Sequence, residues 1–337
     1  MRNLLVVLVF AGALAANAEP PSPMTLRQTT PLAGVTGKFD HFAIDLESHR
    51  LFAAATGNHS VEVIDLKTGK VEQSFTGLGK PHGLAWVEAT SSLYVADGAL
   101  GELRVYKGTP LALAGKIKLS DDADDMVYDD VHHLLFVGHG GSDAANPARV
   151  AVVDTERFAL VASLPVATHP EALEIDPQSR RVFVNIADSN EVDVIDSTTR
   201  TINTQWKLTR AADNVPLAFD AEHQFLFVAC RTPGTLIALD AANGKELASL
   251  KSADGADDLF YDAALRRLYL ISGAGEVDSY QLDVAKILHP LGAVLTAPGA
   301  KTALFVPAQS LLYVGVPGAG KGAGQIRVYS TNAPSAN

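Results

Sequence analysis

Cysteine is nearly absent from this chain: its 337 residues include only Cys230, which lies in the strand-like run FLFVAC. A single thiol excludes an internal disulfide framework, so the fold must be stable through packing alone. The apolar surroundings of Cys230 indicate a buried structural thiol rather than a nucleophile. The C-x-x-C-H motif of haem attachment is also missing.

Positive charge is scarce as well. The chain has 27 Lys and Arg residues against 38 Asp and Glu residues, which gives a net charge of −11. Because phosphate backbones are bound by clustered Lys and Arg, this balance argues against nucleic acid as a partner.

Long apolar runs are missing except near the start of the chain. The run from Leu4 to Ala15 follows Arg2, and the small-x-small pattern Ala16-Asn17-Ala18 comes after it. It is shorter than the roughly 20 residues that a membrane span needs. We therefore predict a signal peptide over residues 1–18, one domain over residues 19–337, no membrane span, and a periplasmic or secreted location.

The sequence does have an internal repeat. An apolar residue followed by an aromatic one recurs seven times, and the aromatic positions are 52, 94, 136, 183, 227, 269 and 313. Spacings of 42 to 47 residues fit a propeller blade of four strands. An apolar run precedes each pair and a β-branched run such as VDVID follows it, with no amphipathic helix between them. The predicted fold is all-β, a seven-bladed β-propeller of four-stranded antiparallel blades.

The two ends of the chain complement each other. The last repeat stops at IRVYSTNAPSAN without an outer strand, whereas TLRQTTPLAG near the start belongs to no blade. We predict that this N-terminal segment supplies the missing strand and closes the ring, which removes an exposed sheet edge.

Two of the repeats, FVNIADSNEVDVID (183–196) and LYVADGALGELRVY (93–106), resemble the YVTN-type seven-bladed β-propeller repeat. The resemblance covers residues 38 to 330. It implies an extracytoplasmic propeller whose ligand, if it has one, meets the axial face. Some periplasmic relatives resemble single-stranded DNA binders, but the acidic balance of this chain counts against that partner.

An acidic phrase also recurs, as DDADDMVYDD (121–130), DGADDLFYDA (254–263) and, more loosely, AADNVPLAFDA (211–221). It falls where the innermost strand of a blade begins, so its side chains should surround the axial mouth. The predicted rim consists of Asp40, His41, His82, Asp124, Asp125, His169, Glu171, Asn214, Asp257, Asp258 and Lys301.

Two interpretations of this rim remain open. Short polar side chains at strand starts can simply bind the backbone N–H groups of neighbouring loops. Alternatively, they converge on a cation or a small ligand. Carboxylate and amide oxygens suit Ca²⁺ or Mg²⁺, and Zn²⁺ fits less well without clustered histidines. The candidate metal set is Glu171, Asn214 and Asp258, which resembles the mixed ligands of gluconolactonase-like propellers.

The absence of a nucleophile motif favours a binding or scaffold protein over an enzyme. We expect a monomer that receives a small ligand or a protein at the axial loop face, with no cofactor other than the cation just described. The alternative is a metal-dependent lactonase-like or lyase-like hydrolase at the same site. In that case His41, His82 or His169 would move the proton.

Overall fold

The computed structural model describes residues 22–318, 320 and 322–331. Within them, 28 strands form seven sheets of four strands each. Neighbouring strands in the sheets pair antiparallel. The remaining elements are four three-residue 3-10 turns, Thr56–Asn58, Glu88–Thr90, Ala187–Ser189 and Pro307–Gln309. The predicted signal peptide lies outside the described residues.

Four strand positions recur in each blade, from the axis outwards. The innermost strands are β2 (Phe42–Asp45), β6 (Pro81–Val87), β10 (Met126–Asp129), β14 (Pro170–Asp176), β18 (Asn214–Asp220), β22 (Ala256–Asp262) and β26 (Thr302–Val306). The second strands are β3 (Arg50–Ala55), β7 (Ser92–Asp97), β11 (Leu134–His139), β15 (Arg181–Ile186), β19 (Phe225–Arg231), β23 (Arg267–Ser272) and β27 (Leu311–Val316). The third strands are β4 (Ser60–Asp65), β8 (Glu102–Lys107), β12 (Arg149–Asp154), β16 (Glu191–Asp196), β20 (Gly234–Asp240), β24 (Glu276–Leu282) and β28 (Gly324–Ser330).

The outermost strands are β1 (Thr25–Leu32), β5 (Val71–Phe75), β9 (Ala112–Lys118), β13 (Ala159–Pro165), β17 (Thr201–Lys207), β21 (Glu246–Lys251) and β25 (Leu288–Leu295). Each innermost strand contacts the innermost strand of the next blade, and β26 contacts β2. The seven sheets therefore form a closed ring, and the predicted propeller is confirmed.

The repeated aromatic residues hold adjacent blades together. Six of the seven are 0% exposed and Tyr313 is 5% exposed. Several pack against an aromatic ring of the next innermost strand, and Phe52 stacks on Trp86 with ring centroids 5.4 Å apart. Seven apolar clusters result, each built from two neighbouring blades. The repeated aromatic position is thus explained by packing, because each blade buries one aromatic side chain against its neighbour.

Several of the acidic residues stabilise turns between strands. In five blades the innermost strand ends in a buried aspartate that accepts hydrogen bonds from backbone N–H groups of the following turn. These residues are Asp45, Asp129, Asp176, Asp220 and Asp262. Aspartate is common in such turns because its short side chain reaches the backbone two or three residues ahead.

The strand β1 closes the ring, as predicted. It pairs antiparallel with β28 from Thr25 opposite Ser330 to Leu32 opposite Gly324, and it is the outermost strand of the seventh blade. No helix in the described part of the chain is long and apolar enough to cross a bilayer.

Candidate functional site

Residues at equivalent positions of the seven blades form a ring around the axis. The steps between aromatic anchors, applied to Asp40, give Asp40, His82, Asp124, Glu171, Val215, Asp257 and Lys301. All seven line one polar cavity of about 180 Å³ at the axial mouth. His41, His169, Lys38, Lys80, Asp122 and Arg231 complete its lining.

A second cavity, of about 210 Å³, lies along the axis beyond this ring. Asp125 and Asp258 line it together with Glu174, and most of its remaining lining is apolar. His41 and Asp257 line both cavities, so they lie between the two.

Asn214 lines neither cavity. It sits one residue before the ring position held by Val215, and it is fully buried. Its side-chain amide donates hydrogen bonds to Asn185 Oδ1 at 2.9 Å and to the Glu191 carbonyl at 3.0 Å. Since Glu171 and Asp258 line different cavities, the structure does not bring the predicted set Glu171, Asn214 and Asp258 around one space.

A different group lies close together. Asp40, His82 and Asp124 each offer one ligand atom, and these three atoms lie within 4.8 Å of one another. His82 Nδ1 is 2.6 Å from Asp40 Oδ2 and 3.6 Å from Asp124 Oδ1. Both His82 and Asp40 are more than nine-tenths buried. The three come from consecutive blades, one from each, at the same ring position.

His41 is the centre of charge at the mouth. Its ring nitrogens lie 3.7 Å from Asp40 Oδ1, 3.8 Å from Asp124 Oδ1, 3.8 Å from Asp125 Oδ1 and 3.9 Å from Asp258 Oδ1. Burial disfavours its protonation, but the four carboxylates outweigh burial and raise the pKa of His41 to about 10. His41 is therefore an imidazolium at neutral pH, shared by four acids.

His169 approaches Asp124 from another side. Its Nδ1 donates to the Gly140 carbonyl at 2.7 Å, and its Nε2 is 3.8 Å from Asp124 Oδ2. Burial alone would lower the pKa of His169. Its contacts with Asp124 and Gly140 outweigh burial and raise the pKa to about 9. Burial opposes ionisation of Asp124 too, yet His169, His82 and His41 hold its pKa well below the usual range.

The second cavity holds carboxyl groups that ionise with difficulty. Burial raises the pKa of Glu174 to about 7, and its side chain accepts one hydrogen bond, from the Ile175 N–H. Burial also raises the pKa of Asp258 to about 7, despite the opposing charge of His41. Asp125 shifts in the same direction for the same reason.

On the opposite side of the mouth, two cations share one carboxylate. Lys301 Nζ is 2.5 Å from Asp257 Oδ2, and Arg231 also pairs with Asp257.

Lys80 Nζ is 3.1 Å from Asp122 Oδ1. Sequence reasoning missed Lys38, Lys80 and Asp122 as rim residues, although each stands two residues before its ring position. The repeat spacing, applied two residues upstream, would have found them.

The comparisons with known proteins give the fold alone. No family model matches the chain, and no curated protein matches it. Among solved structures, hydrazine synthase of Kuenenia stuttgartiensis is similar, with a TM-score of 0.73 and 18% identity over 84% of this chain and 93% of that one. A chain of the mitotic checkpoint complex superposes with a TM-score of 0.76 and 12% identity over 98% of both chains. Both likenesses support the propeller architecture.

Proposed function

We propose that this protein is an exported β-propeller binding protein that holds a divalent cation at its axial mouth. The observation that carries the proposal is the group Asp40, His82 and Asp124, whose ligand atoms lie within 4.8 Å of one another beside a polar cavity. Export is supported by the N-terminal run described above and by the resemblance to YVTN-type repeats.

The donors favour a particular kind of ion. One imidazole nitrogen and two carboxylate oxygens suit Zn²⁺ or Mn²⁺ better than Ca²⁺, which prefers six to eight oxygen ligands. The short contact between His82 Nδ1 and Asp40 Oδ2 holds a proton in the metal-free protein. A cation held by these three side chains would displace that proton to solvent and would be attracted by both carboxylates.

The group also has supporting contacts of the kind that metal sites use. His41 lies within 4 Å of both Asp40 and Asp124, and His169 within 4 Å of Asp124. Such outer partners orient ligating carboxylates.

Thermal unfolding of the mature protein, from Glu19 onward, tests the proposal. After dialysis against chelator, Zn²⁺ and Mn²⁺ should each raise the melting temperature, and Ca²⁺ and Mg²⁺ should do so less. An ion that binds only the folded state adds about 2.7 kcal/mol at one hundred times its dissociation constant. The Asp124→Asn variant should lose this response.

The exposed Asp130 provides the matched control, since Asp130→Asn removes one carboxylate of the same blade away from the cavity. That variant should respond as the wild type does. If no ion raises the melting temperature, or if Asp124→Asn still responds fully, the cation does not bind here.

One observation favours a hydrolase as a second candidate. His169 Nε2 is buried and has no hydrogen-bond partner. Because the pKa of His169 is raised to about 9, this nitrogen would carry a proton at neutral pH and could donate it to a leaving group. Turnover of a lactone by the metal-loaded protein, abolished in His169→Gln with metal affinity kept, would select this candidate over a binding protein.

A further inference from the structure

The polar cavity is lined by basic as well as acidic side chains. Besides the group that we assign to the cation, it is lined by four side chains with permanent positive charge, Lys38, Lys80, Arg231 and Lys301. Its carboxylates are Asp40, Asp122, Asp124, Glu171 and Asp257. A divalent cation adds two positive charges to these four, so the loaded cavity has one more positive than negative charge before any imidazole is counted.

The proposed cation would have unfilled coordination positions. Asp40, His82 and Asp124 supply three ligand atoms. Zn²⁺ commonly takes four ligands and other divalent ions take more, so at least one position remains for water or for a ligand oxygen. That position lies beside the cavity that the basic side chains line.

Two of the basic side chains, Lys301 and Arg231, are held in place beside the cavity, where they can bind an anion. Lys301 and Arg231 share Asp257, so that pairing leaves one positive charge in excess. Arg231 is also fixed by a hydrogen bond from its Nε to the Ala256 carbonyl at 3.1 Å. Contacts of this kind reduce the conformational entropy that is lost when an anion binds.

The size and polarity of the cavity restrict the ligand further. A volume of about 180 Å³ equals the share of about six water molecules, at about 30 Å³ each. Val215 is the one apolar residue among those that line it in the described part of the chain. This space suits a small polar ligand, and it offers an acyl chain only one apolar side chain, that of Val215.

We propose that the metal-loaded mouth binds a small carboxylate anion of about five or six non-hydrogen atoms. This inference rests on the proposed cation site. One carboxylate oxygen completes the coordination of the cation, and the remaining negative charge faces Lys301 and Arg231, with Lys80 across the cavity. The anion is thus recognised by the metal and by basic side chains together.

The test uses Mn²⁺, glycolate and its uncharged analogue glycolamide. Mn²⁺ binding is measured first, by the loss of the free-ion signal in electron paramagnetic resonance. Glycolate is then added while the water-proton relaxation enhancement of bound Mn²⁺ is followed. We expect glycolate to lower the enhancement, because it displaces metal-bound water, and glycolamide to leave it almost unchanged at the same concentration.

Variants separate the two recognition elements. Lys301→Met should weaken glycolate binding about tenfold or more while keeping Mn²⁺ affinity. Lys80→Met is the second variant, in case Lys301→Met does not fold. The exposed Lys251→Met, at the end of β21, is the matched control and should bind glycolate as the wild type does.

The outcomes are distinguishable. Failure to bind Mn²⁺ overturns the cation site and this inference with it. Mn²⁺ binding without a response to glycolate overturns this inference alone, as does equal binding by the wild type, Lys301→Met and Lys80→Met. Glycolate binding to the metal-free protein with unchanged affinity overturns recognition through the metal.

Discussion

The His41→Ala variant is expected to lose about 3–5 kcal/mol of unfolding free energy, as proteins do when one partner of a buried ion pair is removed. His41 lies within 4 Å of Asp40, Asp124, Asp125 and Asp258. Without the imidazolium, these carboxylates, whose side chains are 8% to 18% exposed, repel one another with little screening by solvent. The measurement is equilibrium unfolding in urea at pH 7.

The stabilisation that His41 provides should decrease as the pH rises. The folded-state pKa of His41 is raised to about 10 from an ordinary value of 6.5. Its stabilising contribution is therefore complete below about pH 6.5 and is lost as the pH rises through 10. The wild type should lose this contribution across that window, and His41→Ala, which never has it, should show a shallower decline.

Two further variants distinguish charge from packing. His289 forms an exposed pair with Asp283 at 2.8 Å, so His289→Ala should change stability much less than His41→Ala does. Adding Asp124→Asn to His41→Ala removes a carboxylate whose low pKa keeps it ionised at pH 7, and should restore part of the stability. If the double variant is no more stable than His41→Ala alone, the loss comes from a cavity and not from charge.

Deleting β1, by starting the chain at Gly34, is expected to prevent folding to a stable monomer. The deletion removes Met24 and Leu32, which are 2% and 1% exposed, and the whole pairing with β28. Removing two such buried side chains costs about 2–5 kcal/mol each, and native proteins have only about 5–15 kcal/mol in total. The exposed edge of β28 should then pair between chains and cause aggregation.

Light scattering and circular dichroism of the shortened protein check this expectation, and a peptide of residues 22–33 added in trans should restore soluble folded protein. Within the full chain, Leu32→Ala should cost about 2–5 kcal/mol, whereas Leu26→Ala, in the same strand but 48% exposed, should change stability by less than about 0.5 kcal/mol. A shortened protein with the wild-type melting temperature would show that the ring closes without β1.

The sequence predicts where the candidate site lies better than it predicts which side chains form it. The spacing of the repeats predicts that Asp40, His82 and Asp124 lie where the innermost strands begin, and in the structure all three line the axial cavity. Sequence reasoning nevertheless chose Asn214 as a ligand, because the phrase ADN (212–214) resembles ADD (123–125 and 256–258) in the other two copies. Counting from the anchor of its own blade gives Val215 instead, and a shift of one residue moves a side chain from the axis into the wall.

Irregular pairing explains why neighbouring residues can both face the axis. In the sixth blade the register of β22 with β23 shifts between Ala256 and Asp258, which is the mark of a β-bulge. A bulge breaks the alternation of side chains, so Asp257 and Asp258 both reach the axial cavities. Simple alternation along a strand could not have predicted this arrangement.

The sequence by itself determined the seven blades, the four strands of each, and the closing role of the N-terminal strand. These features depend on local periodicity and on aromatic anchors that every blade needs for packing. Only the tertiary structure decided which side chains meet at the mouth, including the basic ones, and that His41 lies among four carboxylates. Such contacts join residues as far apart as His41 and Asp258, and the distances between them depend on the closure of the ring and on the bulges at its inner strands.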